Sequence, residues 1–210
     1  MEKEVIKLNL DALYINEEAP WGTEADPLVK KAEQYFTGNT ILDLGVGDGR
    51  NALFLAQQGF KIIAVDLSTE AIAQLDRRMK GFKSSYVAIT EDIAEFDFPE
   101  QVDNIICALV LHYLDHNEAE NVLHEISESV SPNGIIVLES FTDRGQLLSV
   151  NSSGYWPKPR ELVYFFESNN CETIYYDTKD RATLQQNIAG ESYVHEVESM
   201  IFKCKSPSQV

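Results

Sequence analysis

The stretch Ile41-Leu42-Asp43-Leu44-Gly45-Val46-Gly47-Asp48-Gly49-Arg50 constrains this chain more than any other. A short apolar run feeds into alternating glycines, and a helical pattern follows at once. That order is the strand–turn–helix of a nucleotide-type site on an α/β sheet. Glycine is needed where backbone turns tightly and comes close to a ligand, because a Cβ would clash there. A dinucleotide site uses G-x-G-x-x-G, with helix N–H groups aimed at a pyrophosphate. Here the glycines fall at Gly45, Gly47 and Gly49, with acids at Asp43 and Asp48. A carboxylate on the approach strand repels a phosphate and attracts an ammonium or sulfonium group. The plain alternative is a glycine-rich turn with no ligand.

Composition narrows the partners. At 210 residues one α/β domain over 1–210 is expected, with 44% apolar and 24% charged residues as in ordinary globular chains. Lys and Arg total 17 against 34 for Asp and Glu, a formal net charge of −17. Such a surface repels phosphate backbones and anionic headgroups, so neither nucleic acid nor membrane is an expected partner. Cys107, Cys171 and Cys204 are scattered, odd in number and without C-x-x-C spacing. That pattern indicates neither a disulfide framework nor a zinc site. No apolar run approaches the roughly 18 residues of a membrane span. The opening Met1-Glu2-Lys3-Glu4 does not read as a signal peptide, so cytoplasm is the expected setting.

Along the chain, residues 1–25 read as an irregular arm bearing Tyr14 and Trp21. Asp26-Pro27 then looks like an N-cap with proline at the first helical position, opening a helix to about 36. Strands are expected at 40–44, 61–65, 84–90, 102–109 and 135–141, separated by helices over 50–58, 69–80 and 117–130. Ser68 is a plausible N-cap, and Pro132-Asn133-Gly134 makes the turn into the fifth strand. The alternation argues for a parallel sheet covered on both faces. After the long loop 143–159 and a helix over 160–168, runs at 173–177 and 193–203 read as a closing antiparallel pair. The expected fold is a Rossmann-like, seven-stranded, mostly parallel sheet with helices on both faces and a C-terminal antiparallel hairpin. Residues 206–210 read as a disordered tail.

Ligands of such sheets lie beyond the carboxyl ends of the strands, near the switch in strand order. Asp43, Asp66 and Asp92 fall at or near such ends. Asp66 stands about twenty residues after the glycine turn, where an acid accepts from ribose hydroxyls. Asp92 beside Ile93 suits an exocyclic amine and an adenine face, or else is a turn carboxylate in water. Asp103, at the start of its strand, is read as pointing away.

With these residues assembled, the chain resembles the class I S-adenosylmethionine-dependent methyltransferases from about Trp21 to Lys203. Asp43-Leu44-Gly45-Val46-Gly47-Asp48-Gly49 is similar to their first motif, and Asp66 and Asp92-Ile93 stand where they hold ribose and adenine. Val102-Asp103-Asn104-Ile105-Ile106, followed by Leu109-Val110-Leu111-His112-Tyr113-Leu114, resembles their fourth-strand segment. A narrower likeness, carried by residues 49–60 and the Arg160-Glu161-Leu162 helix, is to the tellurite-resistance-type enzymes that methylate soft chalcogen or small-molecule acceptors. Of the His-Arg pair that such enzymes carry before the last strand, Arg181 is the nearest counterpart.

The resemblance implies S-adenosylmethionine as cofactor, held by Asp43, Gly45, Gly47, Arg50, Asn51, Asp66, Leu67, Asp92, Ile93 and Leu109. Arg50 has a second reading as a brace for the fold. His112 and Arg181 are the catalytic candidates, though His112 equally reads as a pocket-wall or helix-capping residue. Trp21, Tyr113, Phe141, Tyr155 and Trp156 are candidates for the acceptor pocket or its lid, the alternative being core packing. No metal is expected, and His116, His124 and His195 read as surface or strand residues. The expected activity is methyl transfer to a small molecule by a monomer or homodimer. The rivals are a nicotinamide-dependent oxidoreductase and a non-catalytic S-adenosylmethionine-binding module.

Overall fold

In β1 (Thr40–Leu44), Ile41, Leu42 and Leu44 are completely buried, so both faces of the strand are covered. It pairs in parallel with β2 (Lys61–Asp66) on one side and β4 (Val102–Ala108) on the other. The computed structural model describes residues 3–149, 152–186 and 191–205, without the side chains of 83, 84, 149 and 184–186. The expected tail at 206–210 therefore lies outside the described residues.

Among the described residues one sheet of seven strands runs β3-β2-β1-β4-β5-β7-β6. Its other members are β3 (Tyr86–Thr90), β5 (Val130–Gly145), β6 (Cys171–Gln186) and β7 (Ser192–Cys204). The order reverses between β1 and β4, which opens a crevice above the glycine turn. The first five strands are parallel, whereas β7 runs antiparallel to β5 and β6 on either side of it. Strand β5 starts earlier than expected, and Pro132-Asn133-Gly134 forms a bulge inside it with Asn133 at φ 66.

Local chemistry explains the helix starts. The Asp26 side chain accepts from Leu28 N ahead of α2 (Pro27–Ala32), and Ser68 accepts from Ala71 N ahead of α4 (Thr69–Arg78). Asp115 and Glu118 form a reciprocal capping box at the start of α5 (His116–Ser129). Helix α3 (Arg50–Gln57) leaves the glycine turn directly. One core layer packs α5 and α6 (Glu161–Ser168) on the sheet, with Ile126, Phe166 and Phe202 buried. The other holds Val29, Leu55 and Leu75 from α2, α3 and α4.

Two expectations fail. Residues 3–16, read as part of an irregular arm, form helix α1 (Lys3–Asn16). Ile6, Leu10 and Tyr14 recur at four-residue spacing on its inner side, while exposed Val5, Leu8 and Ile15 blur that stripe in the sequence. The second failure concerns cysteine. Cys171 opens β6 and Cys204 ends β7, the antiparallel register sets them opposite one another, and they form a disulfide. Their separation of 33 residues gave no sequence signal. Cys107 is a buried free thiol. No helix among the described residues is long and apolar enough to cross a membrane.

Candidate functional site

The ends of β1, β2, β4 and β5 open into a cavity of about 710 Å³, roofed by α1 and by the segment around Trp21. Most of the residues singled out from sequence line it, in three groups. At one end are Leu67, Asp92 and Ile93, with Lys3, Ile6 and Leu10 of α1. The middle holds Asp43, Gly45, Gly47, Arg50, Asn51 and Asp66, faced by Tyr14 and Trp21. Leu109, His112, Tyr113, Phe141 and Arg181 wall the far end.

The backbone that shapes the turn is specific. Gly45 has φ +69, and a Cβ there would lie 2.3 Å from Val110. Glycine at 45 thus lets β1 and the segment after β4 close against each other. Gly47 has φ +57, and a Cβ would come within 3.0 Å of the Tyr14 hydroxyl and 3.5 Å of the Trp21 ring. Leu109, after β4, also takes a left-handed conformation with φ 57, a strained choice for a residue with a side chain.

The carboxylates in the middle are held at a cost. Asp43 is 2% exposed, and its Oδ2 has no hydrogen-bond partner among the described residues. Burial first, then the Asp66 charge, pushes its carboxyl up to about 7, against the pull of Arg50. Asp66 Oδ2 accepts from Gly47 N at 2.8 Å and Oδ1 from Ser68 N at 2.9 Å. Those bonds lower its pKa, but burial outweighs them and lifts it to about 6. Asp92 accepts from Ala94 N and is paired with Lys3 Nζ at 3.0 Å, which also pairs with Glu118 at 3.0 Å.

Arg50 and Asn51 do line the cavity, yet their polar groups are engaged with the roof. Arg50 Nη1 donates to Trp21 O at 2.9 Å and Nη2 pairs with Asp26 at 3.4 Å, while Asn51 Oδ1 accepts from Asp26 N. The brace reading of Arg50 is the one its contacts support. Asp103 points away, accepting from Asn39 N, Thr40 N and Thr40 Oγ1.

At the far end, the His112 ring lies 4.1 Å from Tyr113 and 4.9 Å from Phe141. Burial, with a smaller effect of His195, drives its pKa down to about 3, so the ring is neutral at working pH. Arg181 is clamped by Glu139, its Nη2 and Nη1 donating at 2.7 and 2.9 Å, and Ser199 Oγ also donates to Glu139. Glu139 lines the cavity and was missed from sequence, although a single acid in the apolar strand of 135–141 was a usable signal. Tyr155 does not line the cavity; it is buried in the core under α6, its hydroxyl on Glu161 at 3.2 Å. Trp156 stands behind the wall, 5.8 Å from His112 and 5.0 Å from His195. His195, on β7, is wholly buried and joins Thr142 O and Leu147 N through its two ring nitrogens.

A family model described as a methyltransferase domain matches residues 41–134. The chain is 23% identical over 137 residues to the probable S-adenosyl-L-methionine-dependent methyltransferase TehB of Haemophilus influenzae, which covers 65% of this chain and 45% of TehB. It is 25% identical over 122 residues to the ubiquinone biosynthesis O-methyltransferase of Klebsiella pneumoniae, covering 56% and 50%. The chain thus spans about half the length of these curated relatives. Among solved structures it is similar to TehB from Haemophilus influenzae, with TM-score 0.74, 19% identity, and 85% and 61% of the two chains covered. The N-methyltransferase NodS from Bradyrhizobium japonicum, in complex with S-adenosyl-L-homocysteine, matches with TM-score 0.71, 18% identity, and 95% and 98% covered. At such identities the structural likeness speaks for the fold.

Proposed function

We propose that this chain is a class I S-adenosylmethionine-dependent methyltransferase, the reading its similarities support, and that it transfers a methyl group to a small-molecule acceptor. One observation carries the reading: the buried Asp43 carboxylate keeps an unpartnered oxygen at the glycine turn, beside Asp66. An uncompensated buried carboxylate is unfavourable unless a cation joins it. The residues therefore fit S-adenosylmethionine, which carries an ammonium and a sulfonium. A pyrophosphate would meet three acids there, Asp43, Asp48 and Asp66.

In this reading Asp43 faces the ammonium end, Asp66 the ribose, and Asp92 with Leu67 and Ile93 the adenine. For Asp92 to receive the adenine amine, Lys3 shifts toward Glu118, its second partner. Gly45, Gly47 and Leu109 shape the floor, while Arg50 and Asn51 brace the roof above it.

The cofactor supplies a methyl group on positively charged sulfur, displaced in line as S-adenosylhomocysteine leaves. Such a transfer needs little proton chemistry when the acceptor is electron-rich. Alignment alone is worth effective molarities of about 10⁵ M or more, roughly 7 kcal/mol of barrier. His112, kept neutral by burial, can orient an acceptor but holds a proton too weakly to serve as a strong base. Arg181, fixed by Glu139, orients the acceptor from the opposite strand pair. Phe141, Tyr113 and Trp21 exclude water, with Trp156 supporting Phe141 from behind.

A roofed cavity of about 710 Å³ supports a small acceptor over a polymer. The same reading takes the chain as one domain, monomeric or homodimeric, in the cytoplasm. The test is release of S-adenosylhomocysteine with a panel of thiol, selenite, phenol and amine acceptors. Turnover with at least one class is expected. Tight binding of S-adenosylmethionine with no product from any class would favour a non-catalytic sensor instead.

A further inference from the structure

Tyr14 reaches the cavity from α1 and is 5% exposed. Its hydroxyl oxygen accepts the Trp21 indole N–H at 2.9 Å. A phenol has one proton of its own to give, and no described residue accepts this one. Burial, reinforced by the Asp66 charge, holds the phenol well above its ordinary value, so the proton stays on oxygen at any working pH. A buried donor without an acceptor is unfavourable, and the hydroxyl lies over Gly47, where a Cβ would come within 3.0 Å of it.

Several other donors at this turn are engaged. Gly47 N–H goes to Asp66 and Arg50 N–H to Asp48, while the Arg50 guanidinium holds the roof. Around them the acids Asp43, Asp48 and Asp66 disfavour any anion. S-adenosylmethionine nevertheless brings one carboxylate, beside the ammonium that the reading above gives to Asp43. That carboxylate needs a donor close to Asp43 that is not already engaged.

We propose that the Tyr14 hydroxyl, oriented by the Trp21 indole, is the hydrogen-bond donor for the carboxylate of S-adenosylmethionine. The inference rests on the proposed function and deepens it. It also makes α1 part of the binding site: the helix that roofs the cavity would recognise the methionine end of the ligand. The outer end of α1 is held by Lys3 and the inner end by Gln74, which donates to Tyr14 O and Glu17 O at 2.6 and 2.7 Å.

The test compares two ligands that differ only in that carboxylate, S-adenosylmethionine and its decarboxylated form, by calorimetry on the wild type, Tyr14→Phe and Trp21→Phe. A hydrogen bond to a charged group predicts that Tyr14→Phe weakens S-adenosylmethionine about tenfold or more. The decarboxylated ligand should change less than twofold. Trp21→Phe, which leaves the phenol in place, should produce a smaller loss of the same selectivity. Equal losses for both ligands in either folded variant, or no loss for S-adenosylmethionine, would overturn the assignment. A wild type that binds neither ligand would overturn the proposed function itself, and this inference with it.

Discussion

Asp43 is held in a form its surroundings disfavour. In the unfolded chain an aspartate releases its proton near pH 4, whereas the folded site keeps it until about 7. The folded state therefore binds more protons between those values, and the Asp43 contribution to stability falls as pH rises from about 4 to about 7. Replacing it with asparagine removes the ionisation but keeps the shape. We expect Asp43→Asn to raise unfolding stability by about 1–3 kcal/mol at pH 8 and to leave it little changed near pH 4. The same substitution should cost S-adenosylmethionine about tenfold or more in affinity, because the charge that meets the ammonium is gone. Denaturant melts at the two pH values, with calorimetry at pH 8, check both. A variant less stable at pH 8 would mean that Asp43 serves the fold.

At the scale of elements, the two features hidden from the sequence are the helix over the cavity and the bond across the last strands. Helix α1 was hidden because its two sides both carry apolar residues, Ile6 and Leu10 inward, Val5 and Leu8 outward. A one-sided stripe is what marks a helix in sequence. Its anchors are also long-range: Asp11 accepts from Ser68 Oγ at 2.6 Å, and Gln74 holds its end. The disulfide was hidden because pairing depends on a register that no local pattern encodes. It closes a loop across β6 and β7 with a sequence separation of 33 residues. Loop-closure arguments give such a link about 3–4 kcal/mol. We expect Cys171→Ser with Cys204→Ser to lower stability by up to that amount. Cofactor affinity should stay within twofold, since neither cysteine lines the cavity. A large loss of affinity would instead tie the far end of the hairpin to the site.

At the scale of the molecule, the mostly parallel sheet with its closing hairpin and the place of the crevice were legible because they rest on local signals. Gly45 and Gly47 mark the turn, Asp66 the end of the second strand, and Ile126 with its neighbours the covering helix. What the sequence left open was which polar groups are already engaged. Arg50 reads from sequence as either a ligand contact or a brace, and its guanidinium holds Trp21 O and Asp26, whereas Glu139 and Tyr14 face the cavity through contacts on other elements. A fold turns such choices on distances, and distances between strands are not written in spacing.

The central claim is that the buried Asp43 carboxylate, with Asp66 beside it, waits for a cation at the mouth of the sheet. Titration calorimetry of S-adenosylmethionine at pH 6, in two buffers of different ionisation enthalpy, tests it most directly. With Asp43 near 7 and Asp66 near 6, the account predicts binding that releases about one proton, and no heat from NAD under the same conditions. Binding of NAD with none of S-adenosylmethionine, or S-adenosylmethionine binding with no proton released, would contradict it.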